Sequence, residues 1–190
     1  RQTLSNRSWL VLFLSGCIYA LLVGVDTGAV TYYSVYLWQW QPEEISVYSL
    51  WQAVTVISFS VLAPWIAIGR NKKNIAVGIF LFTIFVGPLP IVLRLLDPFI
   101  GISIFPANGS DALWYILLIH SCLTVSLASL GFIFIGSMAM EIVEDVEAST
   151  GRREEGLLGT VNAFIHKLVG AGGVLIAGII VSWSGFDDPN

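Results

Sequence analysis

Polar positions are scarce along this chain, and they fall in bursts. Between the bursts lie five apolar stretches, at approximately residues 9–40, 47–68, 75–93, 112–140 and 157–183. Each can cross a bilayer, which takes about 20 helical residues. The hydrocarbon core satisfies no backbone polar group from outside the segment, and nothing here shows the alternation of a barrel strand. The pattern therefore predicts an all-α polytopic membrane protein with about five transmembrane helices. The first and fourth stretches are long enough to tilt or to extend beyond the lipid. Proline punctuates two of them: Pro64 sits near the end of the second, and Gly87-Pro88-Leu89-Pro90 should kink or end the third. The following segment, RLLDPFIGISIFPANGSD, is rich in proline and glycine and predicts irregular chain or a short interfacial helix.

Composition agrees. Of 190 residues, 56% are hydrophobic and 12% charged, where a soluble domain carries about 25% charged residues; the mean hydropathy is +0.81. The net charge of -4 is small and dispersed, which argues against a nucleic-acid partner and leaves the lipid bilayer as the first partner. Cys17 and Cys122 lie inside apolar runs, as buried thiols rather than a disulfide or a metal pair. Arg1 to Ser8 lead into a long apolar span without a cleavage site, so no signal peptide is visible.

With five crossings, Arg1, Arg7, Arg70, Lys72, Lys73, Arg152 and Arg153 fall on one side, and the other side holds Arg94 alone with several acids. The positive-inside rule then predicts a multi-pass cell-membrane protein with a cytoplasmic N-terminus and an extracytoplasmic C-terminal end. The sequons at Asn6 and Asn108 are weak matches, and the first would face the cytoplasm. An odd number of spans, with Trp183-Ser184-Gly185-Phe186 turning out of the last, predicts an excerpt of a larger protein.

Residues 138–186, MAMEIVEDVEASTGRREEGLLGTVNAFIHKLVGAGGVLIAGIIVSWSGF, join an acidic stretch, a T-G-R-R-x-E-G loop and an F-x-x-K helix with a glycine-rich run. This resembles the last cytoplasmic loop and eleventh helix of the glycoside–pentoside–hexuronide:cation symporters, the melibiose-permease-like branch of the major facilitator superfamily. Glu141 stands where many relatives have aspartate. More weakly, LAPWIAIGRNKKNIAVGI resembles the loop between helices eight and nine, and residues 5–38 resemble helix seven. The resemblance implies that residues 1–190 are helices seven to eleven of twelve, part of a C-terminal six-helix bundle. The N-terminal half of the same transporter would be the absent partner.

Lys167 is the residue that most needs explaining. It lies about ten residues into its span, about 15 Å deep, where a lysine costs about 2.5–3.5 kcal/mol. It either lines a hydrated cleft and pairs with a carboxylate to hold two halves together, or carries charge at a substrate and cation site. The second reading is favoured, because intramembrane charges default to function and the resemblance places a lysine near the coupled sites. Asn162 lies about a turn and a half earlier, and Ala163, Gly170, Gly173 and Ala177 form a small-residue stripe beside Lys167.

Asp26, in the middle of the first span, could bind a substrate hydroxyl, take a proton, pair with a lysine such as Lys167, or be hydrated where a long helix leaves the lipid. Tyr32 or Tyr36 could stack on a sugar ring, while Trp38 and Trp40 read most simply as an interfacial belt. His120 and His166 read as hydrogen-bonded packing residues rather than ligands; neither has metal-binding spacing. The loop GRREEG is a solvated turn on its own terms. The resemblance makes Arg153 and Glu155, with Arg152, a cytoplasmic gate that forms in one state and breaks in another. Arg70, Lys72 and Lys73 read more simply as a lipid anchor.

No nucleophile-and-base arrangement or phosphate loop appears, so an enzyme is not expected. The expected function is secondary symport, in which sodium or a proton drives uptake of a small-molecule sugar or glycoside by alternating access, with no cofactor beyond the coupling cation. Two alternatives stay open: a lysophospholipid carrier of the same superfamily, and a non-transporting structural or sensing membrane protein derived from a transporter.

Overall fold

The computed structural model describes residues 7–101, 104–151 and 155–183, and in it the chain is all-α. Its helices are α1 (Arg7–Tyr32), α2 (Pro42–Ala67), α3 (Lys72–Val86), α4 (Leu89–Ile100), α5 (Asp111–Thr150) and α6 (Glu155–Trp183), with a π-helical turn, Tyr33–Leu37, continuing α1. Among the described residues, five segments are long and apolar enough to span a membrane: Phe13–Leu37, Pro42–Ala67, Lys72–Phe99, Asp111–Asp145 and Ala163–Trp183. Leu14, Ile18, Ile57, Phe85, Ile119 and Leu175 are each more than half exposed. Surface of that kind is a liability in water and the ordinary outer face of a helix in lipid.

Helix ends follow local chemistry. At the start of α2 the Gln41 backbone N–H donates to Glu44 Oε2 at 2.8 Å, with Pro42 at the first helical position. Asn71 Oδ1 accepts the Lys73 N–H at 3.0 Å and caps α3. Gly101, at φ 70°, closes α4 in the left-handed conformation that suits glycine. The forty residues of α5 make a rod of about 60 Å, twice the thickness of the hydrocarbon core. Its acidic end, Glu141 to Glu147, belongs to the excess.

Contacts divide the chain into two compact units, Arg1–Leu37 with Ala139–Asn190, and Trp38–Met138. In the first, α1 packs on α6 through a seam of small residues. A Cβ added at Gly16 would meet His166 Nε2, one at Gly24 would fall against the Gly170 backbone and the Gly173 Cα, and one at Gly28 would meet the Ala177 Cβ. Both residue series ascend together, so the two helices run parallel, as the first and fifth crossings of an alternating chain must. Close approach of this kind is how helices associate where no water drives them together. Of the predicted stripe, Gly170, Gly173 and Ala177 lie in the seam, while Ala163 is exposed.

In the second unit α2 runs parallel to α5. Tyr48 Oη donates to the Leu117 carbonyl at 3.2 Å and, one turn further along both helices, Gln52 Nε2 donates to Ser121 Oγ at 3.0 Å. The α3 helix runs antiparallel to α5, with Phe80 edge-on to Phe132 at 5.3 Å and Val86 reaching the earlier residue His120. A core of Ala63, Ala76, Leu130 and Phe134 fills the space between these three helices.

The Gly87–Pro90 segment is a kink, because the chain resumes as α4 at once. Pro90 has no N–H, so the Val86 carbonyl four residues earlier loses its helical donor. His120 Nε2 supplies the replacement at 2.8 Å; a carbonyl only accepts, so this nitrogen carries the proton. The segment beyond is ordered by side chains. Arg94 Nη2 donates to Asn108 Oδ1 at 2.6 Å and Nη1 reaches Asp97 Oδ2 at 3.5 Å, while Asp97 Oδ1 accepts the Ile104 N–H at 3.2 Å.

One expectation is corrected here. Trp38 and Trp40 are 3% and 7% exposed, so they are not a lipid-facing belt. Trp38 meets Phe105 edge-on at 6.2 Å and Trp40 packs on Tyr48 at 4.7 Å. Between them Gln39 adopts φ 57°, a left-handed turn that a glutamine rarely takes and that two anchored tryptophans hold in place.

Candidate functional site

The α1–α6 unit carries the two charged residues that lie deep in predicted spans. Lys167 follows about 18 Å of helix from the start of α6. It is exposed and lines an open concavity of about 450 Å³ with Gly159, Ala163 and Phe164, all on α6. Two of those neighbours are small, so the groove exists because side chains are missing around the lysine. No carboxylate among the described residues pairs with Lys167 within its unit. Its ammonium is therefore presented outward on a helix whose other flank is locked in the seam.

Asp26 is exposed and accepts a hydrogen bond from Tyr33 Oη at 3.2 Å. The π-helical turn that begins at Tyr33 adds a residue to the helical repeat there, a feature often found at functional sites. Tyr32 and Tyr36 stack on each other, centroids 6.3 Å apart and rings 15° from parallel. Asp26, Tyr32, Tyr33 and Tyr36 thus gather within one stretch of α1 and its continuation, a carboxylate followed by phenols and aromatic faces.

The seam shows how these groups relate. Gly16 lies level with His166, so Lys167 is level with about residue 17, and Asp26 stands about 13 Å further along the axis. Asp26 also lies about 160° around α1 from Gly24 and Gly28, the residues that face α6. The structure does not bring Asp26 and Lys167 together, and the pairing weighed from the sequence is not formed. They are two separate polar positions at different depths.

Other predicted site residues are placed only in part. Asn162 and Glu155 are helical positions of α6; Arg152 and Arg153 lie outside the described residues, so the expected gate is not described.

The structure also shows polar contacts that the sequence reading did not single out. Lys72 Nζ donates to Ser137 Oγ at 2.9 Å, tying the start of α3 to α5, where the sequence suggested a lysine left to the lipid surface. The Gln52–Ser121 bond and the His120–Val86 bond are likewise new. Only the last had a readable signal, a proline four residues beyond a carbonyl in an apolar run. Among the described residues no cluster of His, Cys, Asp and Glu could hold a metal ion.

A family model described as MFS/sugar transport protein matches residues 1–190. Comparison with curated proteins and with solved structures returned no match in either case.

Proposed function

The chain belongs to the MFS/sugar transport protein family, and from that premise we propose that it works in a secondary active transporter that couples uptake of a sugar or glycoside to sodium or protons. Membership makes it a multi-pass membrane protein of a transporter superfamily. The sugar, the coupling ion and the alternating-access cycle are the proposal. We read the chain as helices seven to eleven, with Lys167 facing the other half of the transporter.

The observation that carries the reading is Lys167, a charge about 18 Å into a helix, exposed beside Gly159, Ala163 and Phe164 and, among the described residues, without a carboxylate partner in its unit. A lysine there costs about 2.5–3.5 kcal/mol, a cost that a hydrated path or an opposing carboxylate offsets. Asp26, with the phenol of Tyr33 on it, supplies an acceptor for a substrate hydroxyl or a coupling cation at a second depth. Tyr32 and Tyr36 offer aromatic faces to a sugar ring. Arg152, Arg153 and Glu155 take the gate role in this reading.

The test is uptake of a panel of labelled glycosides into proteoliposomes containing the full-length protein, with and without an imposed sodium or proton gradient. Gradient-dependent accumulation of one glycoside class is the expected result. Uptake of lysophosphatidylcholine with no response to sugars would replace sugar by lipid as the cargo.

A further inference from the structure

His166 occupies a slot made for an unsubstituted backbone. A Cβ on Gly16 would lie 2.6 Å from its Nε2 and 2.7 Å from its Cε1. The ring stacks on Phe13, with centroids 6.2 Å apart and planes 20° from parallel. Its Nε2 is buried and has no hydrogen-bond partner among the described residues. An imidazole held this way is a proton acceptor at the inner end of the α1–α6 seam.

From this geometry we propose that His166 is a proton-binding site that controls the seam. The neutral ring fits the slot with Nε2 bare. Protonation puts an N–H and a positive charge at a buried atom where no described residue accepts, and a buried charge requires such a partner. The charged ring therefore leaves the slot, and the inner ends of α1 and α6 part. The titratable groups within a turn of Gly16 and His166 are the Cys17 thiol and the Tyr19 phenol on α1 and the Lys167 ammonium on α6. None of them bonds Nε2, and Lys167 carries the same sign as the charged ring. The one carboxylate on α1, Asp26, lies ten residues beyond Gly16. The α5 carboxylates of the same unit, Glu141, Glu144, Asp145 and Glu147, do not bond Nε2 either, so among the described residues no carboxylate holds the ring through that nitrogen.

The site is independent of what the protein carries, and its test reads helix separation rather than uptake. Spin labels at the exposed positions Leu14 and Leu168, in full-length protein lacking Cys17 and Cys122, report the distance between α1 and α6 in vesicles. Lowering the pH from about 8 to about 5.5, across the range where histidines change charge, should shift that distance to longer values. His166→Gln should remove the shift, and Gly16→Ala, which pushes the ring out of its slot, should give the longer distance already at high pH. An unchanged distance in the parent protein overturns the proposal, as does a shift that survives in His166→Gln. Should His166→Gln fail to insert, the Gly16→Ala arm decides alone: a short distance at high pH in that variant overturns the proposal. A pH-dependent distance in a protein that takes up no sugar would leave the proton site standing and remove the transport reading.

Discussion

Gly24 and Gly173 meet backbone to backbone: a Cβ built on Gly173 would lie 2.9 Å from the Gly24 Cα, and one on Gly24 would lie 3.0 Å from the Gly173 Cα. Its neighbour Gly172 has nothing within 4 Å. One position is closed to any side chain and its neighbour is open, as the spacing of the stripe, which includes Gly173 and passes over Gly172, predicts.

That contrast yields the first prediction. Gly173→Ala forces the seam apart and should destabilise the protein by about 1–3 kcal/mol, the usual cost of overpacking. Gly172→Ala should be neutral or slightly stabilising, since alanine is the better helix former. Thermal melting of the two purified variants in detergent checks this. Equal melting points would mean that the glycines do not form the contact described.

The bond from His120 to the Val86 carbonyl predicts a rescue. His120→Leu leaves a part-buried carbonyl without a donor, at a cost of up to about 1–3 kcal/mol. Adding Pro90→Ala restores an N–H four residues beyond Val86 and should recover most of the loss. The double-mutant cycle should give a coupling of about 1 kcal/mol or more. Additive losses would show that the histidine does not stand in for the missing proline N–H.

Lys72 and Ser137 should be coupled more weakly. One part-buried hydrogen bond from a charged donor contributes about 1.5–3 kcal/mol at most, and flanking water compensates part of it. Lys72→Met and Ser137→Ala should each lower stability slightly, and together no more than Lys72→Met alone. A double variant that loses the full sum of both would count against the contact.

Asp26 and Tyr33 test the second polar position. If Asp26 takes part in coupling, Asp26→Asn should lower gradient-driven accumulation at least tenfold. Tyr33→Phe removes one exposed hydrogen bond to a carboxylate, about 1.5–3 kcal/mol at most and less where water compensates, so its loss should be smaller than that of Asp26→Asn. Comparing initial uptake rates of the two variants checks the ranking. Indifference to Asp26→Asn would reduce the carboxylate to a hydrated surface group.

How much of this was legible in the sequence depends on the kind of physics involved. Span number and helical class follow from transfer energetics, which the order of residues states directly, and five apolar segments appear among the described residues. The kink at Gly87–Pro90 was legible because proline removes a specific donor. Trp38 and Trp40 were misread, because whether an aromatic near a span end meets lipid or protein depends on partners distant in the chain, here Phe105 and Tyr48. Lys167 was legible as an anomaly, because a charge within an apolar run is visible in the order of residues. The Asp26–Lys167 separation was not legible, since it depends on the register of α1 against α6. Gly16, Gly24 and Gly28 set that register, but a glycine in sequence does not say which residue it meets.

The central claim is that Lys167 belongs to a coupled transport site, and substituting it is the most direct measurement. Full-length protein carrying Lys167→Met should insert and purify normally, yet lose gradient-driven accumulation of the transported glycoside by at least tenfold. That amounts to about 1.4 kcal/mol or more of coupling free energy. Accumulation by Lys167→Met equal to that of the parent protein would contradict the account and leave the lysine a structural charge in a hydrated groove.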